Sequence, residues 1–150
     1  MMDSQAKTAL AGEYFRQGYN CAQAVVAAFA AEAGLKESEA LLLASGLGGG
    51  LGGLGQTCGA VSGMVLVYGR LRGYDDPEDP RSKADTYAGV KRLMLQFDDA
   101  FGSWLCKELK PKAYAAAAAG KEGYCPRRPC CRYVEACAGL LADALNDEEL

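Results

Sequence analysis

Apolar residues recur at helical spacing along almost the whole chain, and this pattern restricts the fold more than any other feature of the sequence. In the clearest segment, Tyr87, Val90, Met94, Phe97 and Phe101 follow one another at intervals of three or four residues. Side chains with this spacing share one face of a helix. No segment shows the apolar–polar alternation that is typical of a half-buried strand. The sequence therefore predicts an all-α fold, a compact helical bundle.

Capping residues and glycines divide this pattern into separate helices. Gly18 is expected to end the first helix, and Asn20 with Gln23 three residues later predicts a capping box at the start of the second, which runs to about residue 34. We expect the later helices to be capped at Ser38, Thr57 and Ser103, with Pro129 in the first turn of the last helix and a short extra helix at 115–119. The 150 residues form about one domain, with 1–9 and 146–150 expected to fray.

Residues 46–55 contain seven glycines and predict a loop between two buried helices. Residues 50–55 fit the GxGxxG pattern, but a helix precedes them where a dinucleotide-binding fold requires a strand. The uncharged stretch 40–69 is long enough to cross a membrane, yet its glycines make a poor helix. We therefore expect no dinucleotide site and no stable membrane insertion. The glycines would instead allow the backbone to approach neighbouring helices, or whatever Cys58 holds, closely.

The composition restricts the chemistry, because the chain has no histidine and seven cysteines. Catalytic pairs that need histidine, HExxH zinc proteases and His-ligated haem are excluded. The net charge of −3 argues against nucleic-acid binding. The N-terminus has no basic start leading into an apolar segment, and an odd number of cysteines fits a disulfide framework poorly. We expect a cytoplasmic protein in which some of the thiols are functional.

Five of the cysteines follow the predicted helix starts. They are Cys21, Cys58, Cys106, Cys130 and Cys131. A helix N-terminus carries partial positive charge, which can lower a thiol pKa from about 8.5 to about 3.5–7.5. Arg128 and its neighbours would act in the same direction. If the helix starts converge, they form a pocket for nucleophilic thiolates or for a thiolate-bound metal cluster, whereas Cys137, on an apolar helix face, is expected to be a buried packing residue.

The cysteine spacing leaves the kind of metal open. There is no CxxC pair, so neither a thioredoxin motif nor a zinc ribbon is present. Thiolates from Cys21, Cys58, Cys106 and Cys130 suit zinc or an iron–sulfur cluster equally well by ligand type. We favour the cluster over zinc because the spacing matches no named zinc motif.

The segments around these cysteines resemble those of the C_GCAxxG_C_C family of small redox-active proteins. Residues 58–63 match its CGAxxG motif, and residues 18–21, 101–106 and 130–134 resemble its other three cysteine segments in the same order. The chain is also similar to a region of the split-Soret cytochromes, but it lacks the CxxCH motif that attaches haem, so no haem is expected.

The resemblance implies an electron-transfer or thiol-redox role for Cys21, Cys58, Cys106 and one residue of the pair Cys130 and Cys131. It also brings Gly59, Ala60 and Gly63 of the CGAxxG segment, together with Arg128, into consideration as cofactor contacts. The chain departs from the family pattern by doubling the last cysteine and by adding Cys125 and Cys137.

The leading hypothesis is a small redox protein, an electron carrier or oxidoreductase. Its four cysteines would ligate an iron–sulfur cluster or cycle between dithiol and disulfide, exchanging electrons with a redox partner that the sequence does not specify. One alternative is a non-catalytic metal-binding module. Another is a helical interaction module with buried thiols, in which the face from Tyr87 to Phe101 pairs with a second copy to form a homodimer.

Overall fold

A computed structural model describes residues 1–147, and eight α-helices make up most of them. The helices are α1 (Ser4–Arg16), α2 (Cys21–Ala28), α3 (Ala30–Ala33), α4 (Glu37–Ala44), α5 (Gly59–Arg72), α6 (Pro80–Phe101), α7 (Cys106–Ala118) and α8 (Cys131–Asp147). A short 3₁₀ helix, Ser45–Leu47, follows α4. Over residues 1–147 there is no strand, only an isolated antiparallel bridge between Thr57 and Leu105. The predicted all-α fold is confirmed.

The core lies between α2, α5 and α8, which contact one another, while α1 packs on α2 and α8 and α6 packs on α5 and α8. Its largest fully buried side chains include Phe29, Met64, Phe97, Tyr133 and Leu141. Burying a large apolar side chain of this kind stabilises the fold by about 1.5–3 kcal/mol relative to leaving it in water. None of the helices within residues 1–147 is both long enough and apolar enough to cross a membrane.

The face of α6 from Tyr87 to Phe101 is predicted to pair with a second chain, but part of it packs in the core of this chain. Phe97 is fully buried, and its ring lies 4.8 Å from that of Phe101 and 6.0 Å from that of Tyr133. Tyr87, at the other end of the face, is exposed. The homodimer therefore remains a prediction, with only the outer part of α6 left to support it.

Two glycines of the CGAxxG segment let α5 approach α2 closely. A methyl group on Gly63 would lie 2.9 Å from the carbonyl oxygen of Ala22, and one on Gly59 would lie 3.2 Å from Cβ of Cys21. Any larger residue would hold the two helices apart. Ala60 is fully buried in the same region. These small residues therefore bring the start of α5, and with it Cys58, against the start of α2.

Gly63→Ala is expected to lower the free energy of unfolding by about 1–3 kcal/mol, because the new methyl group overpacks the contact with α2. Gly69→Ala on the same helix is the matched control, since a methyl group there meets nothing within 4 Å. In the control the free energy of unfolding is expected to rise by about 0.5–1 kcal/mol, because alanine is the better helix former. Urea unfolding of both variants measures the difference. Equal stabilisation by the two changes would contradict the close contact at Gly63.

The predicted stop of α1 at Gly18 and one of the predicted N-caps are confirmed, and the other N-caps need correction. The backbone N–H of Gln23 donates to Asn20 Oδ1 at 2.9 Å and that of Asn20 donates to Gln23 Oε1 at 3.1 Å, which is the predicted capping box. Ser38 is not a cap, because α4 begins at Glu37 after Lys36. Thr57 is not a cap either, because Cys58 itself is the N-cap residue of α5.

Later boundaries also differ from the prediction. Ser103 forms a turn ahead of α7, accepting from the N–H of Leu105 at 3.0 Å, and the helix begins only at Cys106. The alanines of 115–119 do not form a separate helix, because α7 continues through Pro111 to Ala118. Pro129 lies in a turn before α8 rather than inside its first turn. The helix predicted to reach residue 34 is interrupted at Phe29, whose side chain is fully buried.

Parts of both segments that are expected to fray are helical in the structure. Residues 4–9 belong to α1, and Asn146 and Asp147 belong to α8. The two ends are joined, because Met2 N–H donates to Asn146 Oδ1 and Asn146 Nδ2 donates to the Met2 carbonyl, both at 2.8 Å. The rest of the C-terminal segment expected to fray, residues 148–150, lies outside the described residues.

Candidate redox site

Four of the five candidate cysteines line a single cavity of about 640 Å³. They are Cys21, Cys58, Cys106 and Cys130. Each stands at or next to a helix N-terminus: Cys21 and Cys106 are the first residues of α2 and α7, Cys58 is the N-cap of α5, and Cys130 directly precedes α8. The structure thus brings together sulfur atoms that are far apart in the sequence.

Backbone hydrogen bonds hold Cys58 beside Cys106. The N–H of Cys58 donates to the carbonyl of Trp104 at 2.7 Å, and the N–H of Cys106 donates to the carbonyl of Gln56 at 2.6 Å. These bonds accompany the bridge between residues 57 and 105. They place the starts of α5 and α7 side by side, while the contact of Gly59 with Cys21 places the start of α2 against the start of α5.

The glycine loop, residues 48–55, forms part of the cavity wall through Gly49, Gly53 and Gly55. Residues 49–53 all have positive φ. Backbone N–H groups of the loop bond within it: Gly53 donates to Gly48, Gly55 to Gly49 and Gln56 to Gly50, at 2.9–3.2 Å. These N–H groups therefore bond to backbone carbonyls of the loop and not to the cysteine sulfurs.

Burial raises the pKa of three of the cavity thiols, so the expectation of lowered values is wrong for these three. It raises the pKa of Cys58 to about 11, against the opposing N–H groups of Ala60 and Val61. It also raises the pKa of Cys21 and that of Cys130 above the usual range. Desolvation of the thiolate thus has a larger effect on the pKa than the partial positive charge at the helix N-terminus. Without a metal these three thiols are protonated at neutral pH.

The cavity thiols also influence one another through their charges. Cys58, Cys130 and Cys106 each raise the pKa of Cys21, and Cys130 and Cys106 raise that of Cys58. Such coupling needs short separations, because charge interactions weaken with distance. A ligand that neutralises one thiolate therefore favours ionisation of the others.

Arg128 supplies a fixed positive charge at the cavity wall. Its guanidinium donates to the carbonyls of Phe15 and Tyr19 and stacks on the ring of Phe15, with Cζ 3.7 Å from the ring centroid. Its charge lowers the pKa of Cys21 and of Cys130, opposing part of the effect of burial. Of the residues predicted to contact a cofactor, Arg128 and Gly59 line the cavity, whereas Ala60 and Gly63 do not and instead pack between helices.

The structure separates the two adjacent cysteines that the sequence leaves equivalent. Cys130 lines the cavity, whereas Cys131 is fully buried and bonded to Cys125, with an S–S distance of 2.17 Å. The disulfide closes the loop that contains Arg128 and Cys130. Cys131 is therefore not brought to the other candidate cysteines. Cys137 is fully buried, as predicted.

Sequence reasoning missed the cavity residues of α7. Lys107, Lys110, Pro111 and Tyr114 all line the cavity, whereas none of its described lining residues is Asp or Glu. Their spacing of three, one and three residues puts them on one helix face. This periodicity, starting directly after Cys106, is the signal that could have found them.

Residues 1–147 offer no ready site for a single metal ion. Within this range no three cysteine, aspartate or glutamate side chains are grouped so that they could hold one ion together. The four cavity cysteines line one cavity without forming such a group.

Comparison with known protein families matches residues 19–144 to the family described as "Putative redox-active protein (C_GCAxxG_C_C)". The chain belongs to this family. The C_GCAxxG_C_C match spans every cysteine of the chain and so includes both the cavity and the disulfide. Neither the curated proteins nor the solved structures contain a match. The family therefore gives a class, redox activity, and no specific reaction.

Proposed function

We propose that this protein is a small electron-transfer protein that holds an iron–sulfur cluster in its cavity, with Cys21, Cys58, Cys106 and Cys130 as ligands. The observation that carries the proposal is the placement of four cysteines, from four separate helix starts, around one cavity. Four cysteine thiolates are the common ligand set of such clusters. The chain's membership of a redox-active family points to the same class of chemistry.

The spacing of the cysteines favours a cluster over zinc. A structural zinc ion needs four ligands at about 2.0–2.3 Å from one point. No three candidate side chains within residues 1–147 are arranged around one point in this way. A cluster with four cysteine ligands would not require all four sulfur atoms to converge on one ion. The cavity of about 640 Å³ gives such a group room.

The charges around the cavity favour an anionic group. Arg128, Lys107 and Lys110 line it together with the thiols. A cluster bound by four thiolates carries net negative charge, and bound metal removes the thiol protons despite their raised pKa values. When bound, such a cluster supplies one-electron transfer. The chain's own residues fix the sulfur positions and place the cations, and Phe15 and Tyr133 contribute aromatic surface to the cavity lining.

A second candidate function is thiol–disulfide exchange, and it rests on the disulfide between Cys125 and Cys131. Cys125 is partly exposed and Cys131 is buried, so an incoming thiolate of a dithiol reductant would attack the sulfur of Cys125. The S–S bond of the protein would break, Cys131 would leave as a thiolate and take up a proton, and the second reductant thiol would then release Cys125. The protein would gain two electrons and two protons, and the reductant would become a disulfide.

The cluster proposal is tested by anaerobic purification followed by iron, sulfide and thiol analysis. We expect iron and acid-labile sulfide in the wild-type protein, and loss of most of both in Cys58→Ser and Cys106→Ser. Cys137→Ala is the matched control, because this thiol is buried away from the cavity lining, and it is expected to keep its iron. Circular dichroism confirms that each variant is helical. A wild-type protein without iron, with all four cavity thiols free, would exclude the cluster.

A further inference from the structure

We propose that the mouth of the cavity is a docking surface for the acidic face of an electron-transfer protein. The surface, here called the α7 rim, consists of Lys107, Lys110 and Tyr114 of α7 and Leu54 of the glycine loop. This inference rests on the redox function proposed for the cavity, and it adds the charge and class of the partner.

Three of the four residues of the α7 rim line the cavity, and the fourth, Leu54, is the chain neighbour of Gly55, which lines it as well. Lys107, Lys110 and Tyr114 line the cavity from one face of α7, and Lys110 Nζ lies 5.8 Å from the ring centroid of Tyr114. The glycine loop lies against this helix, since a methyl group on Gly55 would be 3.1 Å from Cβ of Lys107. Leu54, at the neighbouring position, is 76% exposed and Tyr114 is 49% exposed. Cationic and apolar side chains thus stand together beside the thiols.

The two lysines of the rim are not neutralised within the described chain. The ion pairs of Lys7 with Glu32 and of Arg16 with Glu135 do not involve them. Glu108, which lies between them in the sequence, accepts a hydrogen bond from the hydroxyl of Ser103 at 2.8 Å. Both lysines therefore present their charge to solvent.

Positive charge is concentrated in this part of an acidic protein. Residues 107–132 contain seven basic and two acidic side chains, although the whole chain has a net charge of −3. A local field of this kind steers an oppositely charged partner to one face and orients it there. Three of these basic residues, Lys107, Lys110 and Arg128, line the cavity of the proposed redox centre, so their charge favours an approach to its opening.

The exposed apolar side chains point to a protein rather than to a small anion. A small anion would use the lysines and leave Leu54 and Tyr114 without a role. Electron-transfer complexes bury small interfaces, and aromatic side chains are enriched at interface cores while charged ones lie at the rim. A membrane surface would need a continuous apolar helix face, whereas the exposed side of α7 is mostly lysine and alanine.

The test uses poly-L-glutamate as a macromolecular polycarboxylate, titrated into metal-free protein at low and high salt. We expect binding that weakens with salt and that falls at least about tenfold in the double variant Lys107→Glu, Lys110→Glu. The matched control is Lys83→Glu with Lys91→Glu, the same charge change on exposed positions of α6, which should change affinity less than about twofold. The variants replace exposed side chains, so both should fold.

Other outcomes of the same titration would overturn the docking surface. An equal loss of binding in the α6 control would show that only net charge matters. Binding of citrate as tight as that of poly-L-glutamate would assign the lysines to a small anion, and tighter binding to phosphatidylglycerol vesicles would assign them to a membrane. The titration needs no metal, so its result is independent of the cluster. Protein that carries iron and sulfide after anaerobic purification but does not bind poly-L-glutamate once the metal is removed would contradict the docking surface alone. Protein that is already iron-free after anaerobic purification and still binds poly-L-glutamate would contradict the cluster alone.

Discussion

Gly50→Ala is expected to lower the free energy of unfolding by about 2–5 kcal/mol and to deform the cavity. Gly50 has φ +75°, and a methyl group there would lie 2.5 Å from the backbone nitrogen of Gln56 and 2.8 Å from Cβ of Cys106. The left-handed conformation costs a non-glycine residue about 1–2 kcal/mol. Overpacking against backbone and against Cys106 adds about 1–3 kcal/mol, because neither can move away alone.

Gly52→Ala is the control that separates conformation from packing. Gly52 has φ +58°, but a methyl group there meets nothing within 4 Å. Only the conformational cost of about 1–2 kcal/mol is expected. Urea unfolding measures both variants, and alkylation of Cys106 reports whether the cavity wall has moved. Equal destabilisation by the two changes would show that the loop is not packed against α7.

The sequence predicts the loop, but it does not show that Gly50 and Gly52 differ in their contacts. Seven glycines within residues 46–55 predict a loop, because a glycine-rich segment is a poor helix. Which of them is indispensable depends on Cys106, which lies far along the chain. A tertiary contact of this kind leaves no periodic signal in the sequence.

The helix caps likewise include some that the sequence predicts and some that it does not. The capping box of Asn20 and Gln23 was predictable because both partners lie within one turn. Thr57 has the side chain of a good cap, but the bond from Cys58 N–H to Trp104 sets the backbone at this point, and α5 begins after Cys58. The start of α5 is therefore set by a contact between distant segments and not by the local preference of threonine for the N-cap position.

The residues of the candidate site could be predicted from the sequence, but their burial, their pKa shifts and the disulfide pairing could not. The coincidence of cysteines with helix starts is a local property and could be read directly. The direction of the thiol pKa shifts could not, because the helix N-terminus is visible in the sequence whereas the burial of Cys21 and Cys58 is not. The pairing of Cys131 with Cys125, which leaves Cys130 for the cavity, also depends on how the loop folds back.

A large loss of stability is expected when metal-free protein is taken above pH 9. The pKa of Cys58 is raised from 9.0 to about 11 by burial, and those of Cys21 and Cys137 are raised as well. Between these values the thiols ionise in the unfolded chain but stay protonated in the folded one, so rising pH favours unfolding. The contribution is fully present below pH 9 and is lost progressively up to about pH 11 for Cys58. Two pKa units correspond to about 2–3 kcal/mol for this thiol.

The share of Cys58 in this loss is measured by comparing Cys58→Ala with Val61→Ala. Both changes truncate buried side chains at the start of α5, but only the first removes a titrating group. Urea unfolding from pH 7 to pH 11 should give a shallower decline for Cys58→Ala than for the wild-type protein, whereas Val61→Ala should lower stability equally at every pH. Other groups that titrate in this range, tyrosines and lysines included, cancel in the comparison. If Cys58→Ala and wild type declined in parallel, the thiol of Cys58 would ionise as easily inside the cavity as in water. Iron-loaded protein should lack most of the decline, because ligated sulfurs are already deprotonated in the folded state.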